Sequence, residues 1–333
     1  MKTKFHFTFL RRALSAVLTS ALLLAAAVLP AAQAQTWPSK PIKVIVNFPP
    51  GGAADQIARA VGMPLAEALG QSVVIENRAG AGGNLGGELV AKSAADGYTL
   101  LLSSGGMVSV NPHIYSKMAF DPAKDLTPVA AAARVLVFLV AKPAVPANNI
   151  TDFIAYAKAN PGRLSYGSPG TGSSPHLAGE MFKSQAGLFT VHVPYRGAAP
   201  ALQDLLGGQL DYLFDPGIGL QHVRSGKLKL LAVGSPKRSA LFPDVPTLSE
   251  VGLTGFDADT VFGFYAPSAT PADVVSRLNR EINKILATPA VKERIAALGG
   301  EPMPITPSEF GDKANEDSKR FGAIIKERKI AAE

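Results

Sequence analysis

Short apolar runs at residues 42–46, 73–75, 99–102, 135–140, 210–214, 228–233 and 261–266 alternate with stretches of helical apolar spacing at 55–69, 150–160, 175–186, 200–207 and 271–287. That alternation constrains the fold most, because a strand followed by a covering helix, repeated, builds parallel α/β structure. The helical stretches carry Pro, Thr or Asp near their starts, as helix N-termini do. Two of the strand-to-helix turns are rich in glycine. Pro49-Pro50-Gly51-Gly52-Ala53-Ala54-Asp55 follows Val44-Ile45-Val46, and Asn77-Arg78-Ala79-Gly80-Ala81-Gly82-Gly83-Asn84-Leu85-Gly86 follows Val73-Val74-Ile75. Glycines that let backbone N–H groups face outward before a helix build an anion site from main chain alone. One such pair is as readily a tight turn; two in matching positions point to one small anionic ligand.

The N-terminus reads as a secretory signal peptide, residues 1–34: Lys2, Lys4, Arg11 and Arg12 precede an apolar stretch rich in Ala and Leu, and Ala32-Gln33-Ala34 has the small-x-small form of a cleavage site. Four of the net seven positive charges leave with it, and the nearly balanced remainder carries no nucleic-acid footprint. The chain has no cysteine, which excludes disulfides, thiolate metal sites, a cysteine nucleophile and a lipidated N-terminal anchor. An exported, untethered binding protein is retained only behind an outer membrane, so a Gram-negative periplasm is the expected compartment. The mature chain exceeds one domain of ~150 residues, and two α/β lobes are its natural division. Chain crossings near the apolar runs that precede Lys142-Pro143 and Pro267-Ser268 make the first lobe discontinuous: 35–138 with 263–333, and 139–262 for the second.

Enzyme and cofactor readings fit poorly. Ser173, His176 and Asp204 supply the residue types of an exported hydrolase of a small ester or amide, but Ser173 lies in no G-x-S-x-G elbow and His176 follows it by three residues. Gly80, Gly82 and Gly86 do not make a G-x-G-x-x-G dinucleotide fingerprint. Scattered histidines without H-x-x-x-H spacing or clustered carboxylates leave no expected metal site, and no cofactor is expected.

Several motifs carry a resemblance to a known family. Trp37-Pro38 with Lys40-Pro41-Ile42, Phe48-Pro49-Pro50-Gly51-Gly52 with Asp55, Glu76-Asn77-Arg78 with Gly80-Ala81-Gly82-Gly83, and Asp96-Gly97-Tyr98-Thr99-Leu100-Leu101 resemble those of Bug-type periplasmic receptors of tripartite tricarboxylate transporters. So do Tyr166-Gly167-Ser168 with Gly172-Ser173, His176-Leu177 and Glu180, then His192-Val193-Pro194-Tyr195, Asp204-Leu205, and Asp244-Val245-Pro246-Thr247, in family order. The resemblance implies an α/β, two-lobed periplasmic binding protein fold of type II-like form, each lobe a mainly parallel sheet flanked by helices. It implies a monomeric receptor that traps a small organic carboxylate between its lobes and passes it to integral membrane subunits.

Placed on this sequence, the resemblance assigns first-lobe contacts to Pro50, Gly51 and Gly52, to Gly80, Ala81, Gly82 and Gly83, and to Ser103 and Ser104. In the second lobe, Gly170, Thr171, Gly172 and Ser173 offer hydroxyls and amides before a helix. Ser174 is expected to cap that helix, with Pro175 at its first position. Asp215, at a strand end, either reads a donor group on the ligand or stabilises the Pro216-Gly217 turn. Asp55 with Arg59 is expected to be an ion pair at a helix start, and Arg78 either attracts anions or pairs with an acid.

Overall fold

The computed structural model describes residues 37–331, and the strands and helices among them lie in the unit that begins at Lys40. The expected signal peptide lies outside the described residues. Eleven strands form two sheets: β1 (Ile42–Val46), β2 (Val73–Asn77), β3 (Thr99–Ser104), β4 (Leu126–Val135), β5 (Phe138–Ala141), β6 (Ser165–Ser168), β7 (Val191–Pro194), β8 (Tyr212–Asp215), β9 (Lys229–Val233), β10 (Thr260–Pro267) and β11 (Gly300–Pro302). The first sheet runs β11-β4-β10-β3-β1-β2 and the second β7-β6-β8-β5-β9.

Taken from β2 and from β7, the two sheets have the same plan. In each, three strands pair in parallel and the fourth runs antiparallel to both neighbours: β10 in the first sheet, β5 in the second. These are the strands by which the chain enters from the other sheet. The two-lobed α/β reading holds, but the sheets are mixed rather than mainly parallel, because a crossing strand enters at the end where the parallel strands leave.

The apolar run 135–140, expected to be one strand, is split at Leu136-Val137 between β4 and β5. The return crossing lies between β9 and β10. Gly234 N–H donates to Val137 O (2.7 Å) and Ala258 N–H to Gly234 O (2.9 Å), which ties the crossings together. Arg134 reaches Asp259 at 2.5 Å, Ser235 also bonds Asp259, and Arg320 of the helix Pro307–Arg328 holds Asp257 at 2.8 Å. Burial and these partners leave Asp259 with its pKa pushed up to about 6, desolvation being the main cause.

β4 is buried almost throughout because helices Ala272–Leu286 and Pro307–Arg328 both pack on it. That two-sided burial explains its unbroken run of small apolar residues. The core of the second sheet is aromatic, with Tyr166, Tyr212, Phe214, Phe153 and Phe182 in mutual contact.

Candidate functional site

Where the two sheets face each other, a cavity is lined from the first by Phe48, Pro49, Gly52, Ala53, Ala54, Ser104, Thr260 and Phe262, and from the second by Pro169, Ser173, Ser174, Pro175, Ala198, Ala199 and Pro216. Among the described residues, no charged side chain lines it. Among the helices that begin at its wall, two of the longer ones are uncapped. Ala53–Leu69 starts at Gly52 and Ala198–Leu206 at Gly197, and neither has a side-chain cap, so their first-turn amides are left for a ligand. The positive ends of both helix dipoles lie at this wall. Two hydroxyls, Ser174 Oγ and Thr260 Oγ1, are buried without a hydrogen-bond partner among the described residues. Two helix N-termini and two buried hydroxyls thus meet at one apolar enclosure.

The cavity gathers Gly52, Ser104 and Ser173 of the expected site and leaves others out. Pro50 and Gly51 are exposed on the outside of the loop. Gly51 N–H donates to Asp55 Oδ2 at 3.0 Å, so that amide is spent within the chain. Asp55, buried, also takes Arg59 and Asn77, which makes it the brace between the first loop and the end of β2. Arg78 pairs with Glu76. Ser103 faces away from the cavity, where it accepts from Asn47 at 2.9 Å and donates to Ser104 O. Alternation along β3 makes only one of two successive serines available.

In the second-lobe loop Gly170-Thr171-Gly172-Ser173 the capping assignment moves by one residue. Ser173, not Ser174, is the N-cap: its Oγ accepts from His176 N–H and donates to Gly170 O at 2.7 Å. Pro175 is therefore the second helical residue, and Ser174 presents the uncommitted hydroxyl. Thr171 and Gly172 lie outside the cavity and against the first sheet's side. A Cβ on Gly82 would stand 3.2 Å from Thr171 O, and one on Gly172 would stand 2.3 Å from Ile114 Cδ1. Gly172, at φ +83°, is required there by that close approach.

Asp215 sits below the wall that Pro216 forms. Its Oδ2 accepts the Gly217 and Gly219 amides, both at 2.9 Å, and burial pushes its pKa up to about 6 against the lowering effect of those bonds. It is the turn aspartate of the two alternatives, and its reading as a ligand acceptor is not carried by this geometry.

Gly80, Ala81, Gly82 and Gly83 line a neighbouring, wider cavity with Asn47, Leu85, Gly170, Tyr195, Arg196 and Gly197. The two cavities share Phe48, Pro49 and Pro169. Side-chain amides fix the loop: Asn111 donates to Gly82 O and Asn47 to Gly83 O, both at 3.1 Å.

Ser173, His176 and Asp204 do not form a relay. His176 Nδ1 accepts the Gly172 amide at 3.1 Å, and Asp204 accepts from Tyr195 at 2.6 Å. His176 instead stacks on His192 at 4.2 Å, and burial lowers the two to pKa values of about 4 and about 3. Both imidazoles are neutral in the fold, whereas in the unfolded chain they take protons below about pH 6.5. Their contribution to stability is complete above pH 6.5 and is lost as pH falls toward 4. Asp215 and Asp259 work in the opposite sense, stabilising most below pH 3.8 and losing that contribution as pH rises through about 6. In His192→Phe, which stacks but cannot take a proton, the melting temperature relative to wild type should therefore rise as pH falls from 6.5 to 4.5. A difference that is constant with pH would show that the pair does not titrate on unfolding.

Thr260, Ala198 and Ala199 are absent from the sequence-derived site. Thr260 opens an antiparallel strand, whereas ligand contacts in α/β sheets are expected at the C-terminal ends of parallel strands. Pro200 drew the expected helix start two residues late; it is the third helical residue, after the free amides.

Residues 57–330 match the model of the tripartite tricarboxylate transporter family receptor. BugT of Bordetella pertussis is 40% identical over 297 residues, covering 88% of this chain and 91% of BugT. Among solved structures, Rpa4515 of R. palustris with adipate superposes with TM-score 0.86 at 34% identity, covering 89% of this chain and 99% of that one. The periplasmic binding protein BugD gives 0.85 at 33%, over 89% and 100%. MatC of Rhodopseudomonas palustris with bound malate gives 0.82 at 32%, over 87% and 100%.

Proposed function

Since the chain belongs to the tripartite tricarboxylate transporter receptor family, we propose that it is a periplasmic solute-binding receptor that closes on a small organic carboxylate and delivers it to the membrane subunits of such a transporter. The lobes are those built on the two sheets, and the bounds expected at 138/139 and 262/263 shift to the crossing strands, which open at Phe138 in the second sheet and at Thr260 in the first. Among the described residues, no helix is long and apolar enough to cross a membrane.

The observation that carries the reading is the meeting of two uncapped helix N-termini with the unpartnered hydroxyls of Ser174 and Thr260 in one apolar cavity. A carboxylate is ionised near neutral pH, and each charge-assisted hydrogen bond to it contributes roughly 1.5–3 kcal/mol. Dipoles and amides neutralise it without a buried countercharge, whose desolvation costs several kcal/mol. Donors come from both sheets, so an anion held by all of them bridges the lobes and stabilises the closed arrangement by its differential affinity. Solved relatives holding adipate and malate support the ligand class.

Calorimetric titration with adipate, malate and a panel of other small carboxylates tests the proposal. A one-to-one, saturable heat with the ligand recovered unchanged is expected. No saturable heat with any carboxylate would refute carboxylate capture, and steady release of acid from a small ester would assign a hydrolase instead.

A further inference from the structure

We propose that Arg196 selects ligands that carry a second carboxylate, by pairing with it in the wider of the two cavities; this rests on the carboxylate reading above. Of the described residues that line either cavity, Arg196 is the only charged one. A ligand anchored at the helix N-termini therefore meets a single cation, and it lies one cavity away. The boundary shared by the two spaces is Phe48, Pro49 and Pro169, which is apolar and suits a methylene chain. Anion site, shared apolar lining and cation in that order match an α,ω-diacid.

The chain around Arg196 is held on both sides. Tyr195 N–H donates to Ser168 O at 2.9 Å and its hydroxyl to Asp204 at 2.6 Å, while Gly197 N–H donates to Pro169 O at 3.1 Å. Gly197, at φ +122°, lets the backbone pass Pro49 where a Cβ would come within 2.8 Å of the ring. The Arg196 backbone is thus fixed at the seam of the cavities. Its side chain is exposed and forms no ion pair among the described residues, so no internal carboxylate competes for the guanidinium. A guanidinium takes a carboxylate through two parallel bonds, which an ammonium cannot.

The test compares succinate, glutarate and adipate with butanoate, pentanoate and hexanoate on wild type, Arg196→Gln and Arg196→Lys. Wild type should bind its best diacid at least tenfold more tightly than the monoacid of equal length. Arg196→Gln should bring that ratio near one by weakening the diacid alone, leave monoacid affinity unchanged, and flatten the salt dependence of diacid binding. Arg196→Lys should restore part of the ratio. Equal affinities for the two classes in wild type, or equal weakening of both in Arg196→Gln, would overturn the role of Arg196 while leaving carboxylate capture standing. Failure of wild type to bind any of the acids would refute carboxylate capture and this inference with it.

Discussion

Gly52→Pro should weaken carboxylate binding at least tenfold, about 1.4 kcal/mol or more, while Gly52→Ala stays close to wild type. Gly52 is the N-cap of the helix Ala53–Leu69, at φ −75°. Proline prefers about −65°, so the substitution keeps the backbone and removes one N–H at the cavity wall. A Cβ built there meets nothing closer than Pro49 O at 3.7 Å, which leaves room for the Cβ of either replacement. Gly51, at φ +83°, is the preceding residue and as glycine tolerates a following proline. Alanine retains the amide, so the pair of variants separates the donor from the side chain. Titration of both with the tightest-binding carboxylate decides: equal affinities in folded Gly52→Pro and Gly52→Ala would mean that this amide does not hold the anion.

Much of the fold was legible in the alternation of apolar runs and helical spacing, but β6 and β7 fall on none of those runs, because Ser165–Ser168 and Val191–Pro194 are short and mix polar with apolar residues. What local pattern could not convey was direction. β5 and β10 read like any other apolar run, and their antiparallel sense follows only from where the chain re-enters a sheet. The same long-range fact hid Thr260, since an antiparallel strand brings its first residue to the end where parallel neighbours bring their last. The final helix was within reach of sequence reading: Thr306-Pro307-Ser308-Glu309 spells a capping box, and both reciprocal bonds are present. Its grip on Asp257 through Arg320 was not, because the two residues are 63 apart in the chain.

The candidate site was legible in outline and displaced in detail. Glycine-rich loops at strand ends did mark the cleft, and Gly52, Ser104 and Ser173 do line it. Yet a glycine signals that space or an unusual φ is needed without saying which. At Gly52 the gain is an uncapped helix start; at Gly172 it is the close approach of Ile114; in residues 80–83 it is the wall of a second cavity. For Asp215 and Ser173, side-chain type suggested a ligand contact, but neighbouring backbone amides and carbonyls claimed those oxygens first. Short polar side chains beside a turn bond their own backbone readily, and that competition has to be settled before they are assigned to a ligand.

The largest loss is expected from removing the two uncommitted hydroxyls together. In Ser174→Ala with Thr260→Val, carboxylate affinity should fall by about a hundredfold or more, since each charge-assisted bond contributes about 1.5–3 kcal/mol. Both replacements fit the space already occupied, and neither removes a hydrogen bond that the structure contains, because Ser174 Oγ and Thr260 Oγ1 have no partner among the described residues. The ligand-free melting temperature should therefore stay at or above the wild-type value. Ser174 belongs to a helix packed on the second sheet, and Thr260 begins a strand of the first. If the hydroxyls hold one anion from opposite lobes, as proposed, each should matter less once the other is gone, giving a double-mutant cycle with positive coupling. Ligand-induced compaction in small-angle scattering should disappear in the double variant at concentrations that saturate wild type. Affinity within threefold of wild type, with compaction intact, would remove these hydroxyls from the anion site and leave the helix N-termini to hold it alone.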